Sequence, residues 1–342
     1  MIRPDLAAMP AYVPGQRQPD ALKLSSNEVA TTPLPSAVEA MTQAAQNANR
    51  YPDMFSTELR EALAEHLRLR PEQVTVGCGS SALCQQLVQI TAGAGDEIVF
   101  AWRSFEAYPI FAQVVGATPV PVPLLDDGRH DLAQMAAAIT DRTRLIFLCN
   151  PNNPSGAVIT EAEFHEFMEQ VPSDVVVALD EAYFEYNRAA DTVIGTAVIA
   201  RYPNVVGLRT FSKAYGLAGV RLGYAFGSRE LIGALDKVVI PFSVNAIAQA
   251  GALASLRNTD ELLERTAETV EQRDRVADAL GARRSEANFI WLPGVDSADV
   301  AARLAAQGVL VRAFPEGVRI TVTTEDEAEQ LLAAWNRAGL GA

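Results

Sequence analysis

Short apolar runs alternate with helix-like patterns through most of this chain. The segment Thr57–Arg68 carries leucines at every fourth position, which is the spacing of one helical face, and Ala82–Thr91 is a second helical segment. This alternation predicts an α/β fold with a mostly parallel sheet between layers of helices. The runs of strand length are Gln73–Val76, Glu97–Ala101, Arg144–Cys149, Val175–Leu179, Val205–Leu208 and Leu222–Phe226.

The two ends of the chain have different patterns. The first thirty residues are rich in proline and lack periodicity, so we expect an extended arm over 1–30. A helix is predicted at Pro35–Asn49, and a large domain over 31–240 ends near Pro241. The remainder, 241–342, is predicted to be a smaller α/β domain that begins with a helical region reaching Leu280. Its later elements are predicted at Asn288–Leu292, Val309–Arg312, Val318–Val322 and Glu325–Arg337.

Composition limits the classes of partner. The 342 residues are 49% hydrophobic, enough for a substantial core, and the formal net charge is −14. Such a charge repels nucleic acid and anionic lipid, so neither is an expected partner. Any anionic ligand must be attracted by local lysine, arginine or backbone N–H groups.

Cysteine and histidine positions favour neither disulfides nor a metal site. Cys78, Cys84 and Cys149 lie in apolar surroundings without metal-ligand spacing, and we expect them to be reduced. His66, His130 and His165 are scattered through polar segments and are expected at the surface. The first residues contain no apolar run of signal-peptide or membrane-span length, so a cytoplasmic location is expected.

The most informative motif is Thr210-Phe-Ser-Lys213, followed by Arg221. Lys213 comes just after the apolar run Val205–Leu208, and the carboxyl ends of parallel strands are where open α/β sheets bind ligands. A lysine there can form a Schiff base with an aldehyde cofactor, and an arginine can hold a phosphate with two hydrogen bonds. Taken alone, a Ser-Lys pair is more often a solvated loop. Together, the two cations suggest pyridoxal 5′-phosphate.

At these residues, and over nearly its whole length, the chain resembles the fold-type I aminotransferases, most closely the branch of histidinol-phosphate and aromatic amino acid aminotransferases. The resemblance implies a large cofactor-binding domain with a smaller α/β domain, which the amino-terminal arm joins. It also implies a homodimer with shared active sites. Lys213 would be the covalent anchor of the cofactor and the base that moves the substrate's Cα proton.

Three further residues match family positions around the cofactor ring. Asp180 ends the predicted strand Val175–Leu179, where a carboxylate needs a partner and the pyridinium N–H would provide one. The alternative for Asp180 alone is a helix cap. By the resemblance, Tyr183 and Asn153 hydrogen-bond the phenolic oxygen, although an Asn/Pro/Gly cluster such as 150–156 is by itself only a turn.

The phosphate cradle is predicted at the start of a helix. Gly79, Ser80 and Ser81 place small residues and free N–H groups at that helix terminus, where anions bind. The simpler alternative is that Ser80 is only an N-cap, and both can hold together. Thr210 and Arg221 would complete the cradle.

Two aromatic residues match further cofactor positions. Phe105 matches the aromatic side chain that stacks on the pyridine ring, although an isolated aromatic residue is as often a core residue. Tyr51 resembles the tyrosine that reaches the phosphate bound by the neighbouring subunit. The site would then be shared across a dimer interface.

The substrate is expected to bind through Arg319. This arginine lies in an alternating strand, where it either faces solvent or binds the carboxylate of an amino acid, as the family pattern implies. Asn27 resembles a second substrate contact. The expected walls of an apolar slot for a phenyl ring are Tyr12, Phe105, Tyr108 and Phe242, with Arg312 as a phosphate or rim contact.

Two departures from the histidinol-phosphate pattern bear on the substrate. The arm reads Asn27-Glu-Val-Ala where that branch has Asn-Glu-Asn-Pro, and Phe242 follows Pro241 where it often has tyrosine. The second segment is similar to actinobacterial aromatic (phenylalanine) transaminases. We therefore predict an aromatic amino acid aminotransferase that moves an amino group between glutamate or an aromatic amino acid and an aromatic 2-oxo acid such as phenylpyruvate, by a ping-pong mechanism.

Other functions remain as alternatives. Histidinol-phosphate aminotransferase is the nearest, because Arg312 remains available for a phosphate. A decarboxylase of the same family would be revealed by CO2 release. A non-catalytic pyridoxal-binding module is disfavoured because both Lys213 and Arg319 are present, and a NAD-binding domain because no GxGxxG turn follows the first strand.

Overall fold

The computed structural model describes residues 18–341, together with Ile2, Ala7, Met9, Ala11, Val13 and Gly15. In this part of the chain the strands are β1 (Leu22–Lys23), β2 (Val74–Gly77), β3 (Glu97–Trp102), β4 (Thr118–Pro123), β5 (Thr143–Cys149), β6 (Val176–Asp180), β7 (Val205–Thr210), β8 (Gly223–Gly227), β9 (Phe289–Pro293), β10 (Val309–Leu310), β11 (Arg312–Phe314) and β12 (Gly317–Thr321).

The helices of the same residues connect and cover these strands. They are α1 (Pro35–Ala45), α2 (Thr57–Leu67), α3 (Ser80–Thr91), α4 (Tyr108–Val114), α5 (Leu132–Ala137), α6 (Glu161–Met168), α7 (Gly195–Val198), α8 (Arg229–Val238), α9 (Ala246–Leu256), α10 (Thr259–Leu280), α11 (Ser297–Ala306) and α12 (Glu325–Arg337).

A mostly parallel sheet forms the centre of the fold, in the order β2-β8-β7-β6-β5-β3-β4. Among these described strands, β8 runs in the direction opposite to the other six. Separate clusters of buried apolar side chains pack around the sheet, and helices supply their outer walls. The predicted α/β class with a mostly parallel sheet is confirmed.

Strands β1, β4, β10 and β11 differ from the sequence-based expectation, which had β1 within the extended arm. The edge strand β4 was not predicted, because its alternating prolines remove backbone donors and are tolerated only at a sheet edge. The single strand predicted at Val309–Arg312 is instead two strands, β10 and β11, that belong to different sheets.

A second, antiparallel sheet of order β11-β12-β9 lies in the carboxyl-terminal part and packs on α10 and α11. Helix α12 packs on α10 and shares an apolar cluster with the strands. The strand β1 pairs in parallel with β10, and Leu24 lies in the same apolar cluster as β9 and β12. Helix α9 packs on α1, and Ala248 and Ala252 are buried in the cluster beside the large sheet. A domain boundary at 241 therefore stays a prediction, since α9 lies with the preceding residues.

Candidate active site

A cavity of about 450 Å³ opens at the carboxyl ends of the central strands. The sheet supplies Asp180 at the end of β6, Thr210 at the end of β7, and Lys213 and Arg221 from the turn before β8. Ser80 and Ser81 open α3, and Phe105 precedes α4. Asn153 and Tyr183 follow β5 and β6, while Asn27 and Arg319 approach from the arm and β12. The fold thus brings these predicted residues to one place.

Lys213 lies against the arm. Its Nζ donates a hydrogen bond of 3.2 Å to the carbonyl oxygen of Ser26 and lies 5.8 Å from the centre of the Tyr183 ring. Burial, together with the positive charges of Arg319 and Arg221, lowers the pKa of Lys213 to about 7. A large fraction of the amine is therefore uncharged and nucleophilic near neutral pH.

Asp180 is buried with one oxygen paired. Its Oδ2 accepts a hydrogen bond of 2.7 Å from the Tyr108 hydroxyl, while Oδ1 is buried without a hydrogen-bond partner among the described residues. Burial raises the pKa of Asp180 to about 6, and the Tyr108 hydrogen bond opposes that rise. A buried carboxylate oxygen without a donor is costly. The N–H of a protonated pyridine ring is a donor of the kind this oxygen lacks.

Asn27 and Tyr183 are joined across the cavity. Nδ2 of Asn27 donates to the Tyr183 hydroxyl at 2.8 Å, and Oδ1 of Asn27 accepts from Oγ1 of Thr321 at 3.0 Å. The backbone N–H of Asn27 also donates to Oγ1 of Thr321. The arm is thereby tied to β12 and to the loop after β6, with Tyr183 held by a polar partner.

The predicted phosphate cradle is shaped by close backbone approach. Gly79 has φ of +79°, and a Cβ there would overlap Nη2 of Arg221. A Cβ at Gly223 would overlap the backbone nitrogen of Ser80. Ser80 is not the N-cap considered from the sequence, because α3 begins at Ser80 and Gly79 occupies the cap position without a side-chain bond. The first amides of α3 are left for an anion.

Thr210 and Arg221 hold the other side of this cradle. Oγ1 of Thr210 accepts a hydrogen bond of 3.1 Å from the backbone N–H of Ser212, and Nη1 of Arg221 donates to Oγ of Ser212 at 3.2 Å. Arg221 has φ of +62°. The turn after β7 therefore directs a guanidinium and two hydroxyls toward the start of α3.

Arg319 is buried within β12, with 6% of its surface exposed, which excludes the solvent-facing alternative. Its Nη1 donates to Oδ1 of Asn153 at 2.6 Å, and its Nη2 donates to the carbonyl oxygen of Ser25 at 2.7 Å. Both of these partners are neutral amide oxygens, and the guanidinium lines the cavity.

Several expected pocket walls lie elsewhere. Tyr108 is fully buried behind Asp180 and does not line the cavity. Phe242 stacks on Tyr51, with ring centres 4.6 Å apart, on a surface away from the cavity of the same chain. The expected wall residue Tyr12 lies outside the described residues. The expectation of a surface position was wrong for His130, because it is buried beside Asn152.

Most residues on the apolar side of the cavity were not predicted from the sequence. Ala107, Ile110 and Phe111 line it together with Phe105, so α4 supplies most of this wall. Arg312 also lines it, with Nη2 donating to Oε2 of Glu106 at 2.7 Å. The short helix α4 begins Tyr-Pro, which is a start signal, but nothing in the sequence indicates which of its faces meets the ligand.

The cavity fits a flat, phosphorylated pyridine. It offers an unpaired carboxylate oxygen for the ring nitrogen, and a glycine-lined helix terminus with an arginine for a phosphate. It also contains a lysine whose pKa is lowered to about 7. These features belong to a lysine-anchored enzyme of the pyridoxal type. The chain belongs to the aminotransferase class I and II family, whose model matches residues 19–334.

The most similar relatives include an aromatic amino acid aminotransferase of Corynebacterium glutamicum, 66% identical over the full length of both chains. A protein of the same description from Rhodococcus jostii is 56% identical over 97% of this chain and 94% of its own length. Among solved structures, histidinol-phosphate aminotransferase of Sinorhizobium meliloti in complex with pyridoxal-5′-phosphate is similar with a TM-score of 0.90, at 30% identity over 98% of this chain and 97% of its own.

The family membership confirms the resemblance drawn from the sequence, the fold-type I architecture and the enzyme class. The chain is a transaminase, and the predicted cofactor, pyridoxal 5′-phosphate, is confirmed with the family. Among the residues that the structure describes, the helices lack the combined length and apolar character needed to cross a lipid bilayer.

Proposed function

We propose that this chain is an aromatic amino acid aminotransferase that exchanges an amino group between glutamate or an aromatic amino acid and an aromatic 2-oxo acid such as phenylpyruvate. Sequence identity of 66% to the Corynebacterium glutamicum enzyme, over the full length of both chains, carries this proposal. The apolar wall of Phe105, Ile110 and Phe111 supports it, because a phenyl ring is bound best by apolar and aromatic side chains.

Each predicted residue then has a role. Bound pyridoxal 5′-phosphate supplies an electron-withdrawing pyridine ring that stabilises negative charge at the substrate's Cα. Lys213 would anchor the cofactor and, as the free amine, would take the proton from the substrate's Cα and deliver it to the C4′ carbon of the cofactor. Asp180 keeps the ring nitrogen protonated, and Arg319 holds the substrate carboxylate with two parallel hydrogen bonds.

The remaining predicted contacts hold the cofactor in place. Tyr183 and Asn153 would donate to its phenolic oxygen, and Phe105 would cover its ring. The cradle of Gly79, Ser80 and Ser81, with Thr210 and Arg221, would hold the phosphate. Asn27 would contact the substrate, as would Tyr12.

A homodimer with shared sites is part of the proposal. Tyr51 is 82% exposed and is stacked on Phe242, while Phe55 and Ile240 are exposed as well. Large apolar side chains exposed together favour an interface with another chain. Tyr51 would then reach the phosphate bound by the second subunit. We also place the enzyme in the cytoplasm, in keeping with free thiols at Cys84 and Cys149.

Histidinol-phosphate aminotransferase is the second candidate, since Arg312 lies in the cavity and a structure of that enzyme from Sinorhizobium meliloti is similar. Arg312 is already paired with Glu106 and with the carbonyl oxygen of Val13, which reduces its attraction for a phosphate. Single half-reactions with phenylalanine, tyrosine, glutamate and histidinol phosphate distinguish the two. We expect the aromatic amino acids to react fastest; a strong preference for histidinol phosphate would overturn this choice.

A further inference from the structure

Tyr108 contacts two groups that are expected to meet the cofactor ring. Its hydroxyl donates to Oδ2 of Asp180 at 2.7 Å, and its ring packs edge-on against Phe105 with centres 5.4 Å apart. A face of the tyrosine ring is covered by Phe147, which is stacked in parallel with ring centres 4.3 Å apart. Tyr108 itself is fully buried and lies outside the cavity.

We propose that Tyr108 is a positioning residue that orients the Asp180 carboxylate, so that Oδ1 faces the cofactor's ring nitrogen as an anion. This inference rests on the proposed function. One oxygen of Asp180 is occupied by the phenol, which leaves the buried Oδ1 as the remaining acceptor. The rigid aromatic stack holds the hydroxyl in place, so the carboxylate cannot rotate without losing the hydrogen bond from Tyr108.

The surroundings of Asp180 give this hydrogen bond its importance. The charged and titratable side chains that influence the pKa of Asp180 are Glu181, Lys213 and Tyr108. The charge of Asp180 in turn raises the pKa of Cys84, Cys149 and Tyr183. Burial is the largest effect, and it disfavours the anion. The Tyr108 hydrogen bond is the largest effect that favours the anion. Removing it leaves a buried carboxylate that takes up a proton at higher pH.

Tyr108→Phe removes the hydroxyl and keeps the ring contacts with Phe105 and Phe147. Tyr186→Phe is the matched control, because the hydroxyl of Tyr186 is buried without a hydrogen-bond partner among the described residues. The probe is pyridoxamine 5′-phosphate, which has the same ring and phosphate but an amine where the aldehyde reacts with Lys213. Its dissociation constant is measured by calorimetry on cofactor-free protein between pH 5 and pH 8.5.

We expect Tyr108→Phe to weaken binding of this probe about 10- to 100-fold at pH 7, the loss typical of a hydrogen bond to a charged group. The pH below which affinity falls should rise by about one unit. Tyr186→Phe should keep both the affinity and the midpoint of the unaltered protein. Equal behaviour of the two variants, or an unchanged midpoint in Tyr108→Phe, would overturn the inference.

A double-mutant cycle separates positioning from a general packing defect. Asp180→Asn removes the anion, so adding Tyr108→Phe to it should cause little further loss if the hydroxyl acts through Asp180. The same fold loss in both backgrounds would contradict a positioning role. If the unaltered protein failed to bind the probe at all, the proposed function would fail, and this inference with it.

Discussion

Nη1 of Arg319 and Oδ1 of Asn153 are 2.6 Å apart, although 166 positions separate them in the chain. One residue is the expected ligand of the substrate carboxylate, and the other is an expected ligand of the cofactor's phenolic oxygen. Their hydrogen bond joins the small sheet to the loop after β5. The residues expected to bind the substrate and the cofactor are therefore in direct contact with each other.

Arg319→Lys should lower kcat/KM for every amino acid substrate by about 100-fold, or about 3 kcal/mol, because an ammonium cannot make the two parallel hydrogen bonds of a guanidinium. Steady-state kinetics with phenylalanine and glutamate measure the loss. Arg257→Lys, at an exposed position, is the control and should leave the rate unchanged. A loss confined to one of the two substrates would show that Arg319 binds a side chain rather than the common carboxylate.

The reactivity of Lys213 in cofactor-free protein should follow its lowered pKa. With a pKa of about 7, roughly a tenth of the amine is uncharged at pH 6 and roughly nine tenths at pH 8. Modification by an aldehyde and borohydride, followed by mass spectrometry of the Lys213 peptide, should therefore increase through pH 7. Arg319→Gln removes a nearby positive charge, so the midpoint should move to higher pH. A downward shift in that variant would contradict the assigned cause.

Hybrid dimers test whether Tyr51 acts in the partner's site. As pure proteins, Lys213→Ala should be nearly inactive and Tyr51→Ala should have weakened activity. If Tyr51 reaches across the interface, the mixed dimer places both defects in one site and leaves the other site intact. Activity should then rise well above that of either pure variant after the two are mixed and reassociated. If Tyr51 serves its own chain, the mixed dimer has no intact site and no such rise follows.

His130 should make stability depend on pH. Burial lowers its pKa to about 4 from an ordinary 6.5, so the unfolded chain binds the proton more readily than the folded one. The stability that depends on a neutral His130 is fully present above pH 6.5 and is lost as the pH falls toward 4. At pH 5 the free energy of unfolding should be lower by about 2 kcal/mol. Urea unfolding at pH 7 and pH 5 measures it. His130→Gln should show a smaller difference between the two pH values, and an equal difference would exclude His130 as a source.

The positions of Lys213 and Asp180 could be predicted from the local sequence, because each residue comes at the end of an apolar run typical of a buried strand. Parallel strands then place both at one edge. The partners of these residues could not be predicted in this way. Tyr108 and Asp180 are 72 positions apart, and the position of Tyr108 behind the carboxylate depends on how α4 packs on the sheet. The helix start at Ser80 was also missed, since a serine before an apolar run usually marks a cap.

The most direct test of the account is the site of cofactor attachment. The sequence contains the lysines Lys23, Lys213 and Lys237, so the assignment is a choice among few candidates. Holoenzyme is treated with borohydride to make the cofactor–protein bond permanent, then digested and mapped by mass spectrometry. We expect the pyridoxyl group on the peptide that contains Lys213 and on neither of the others. A label on Lys23 or Lys237, with Lys213 unmodified, would contradict the central claim.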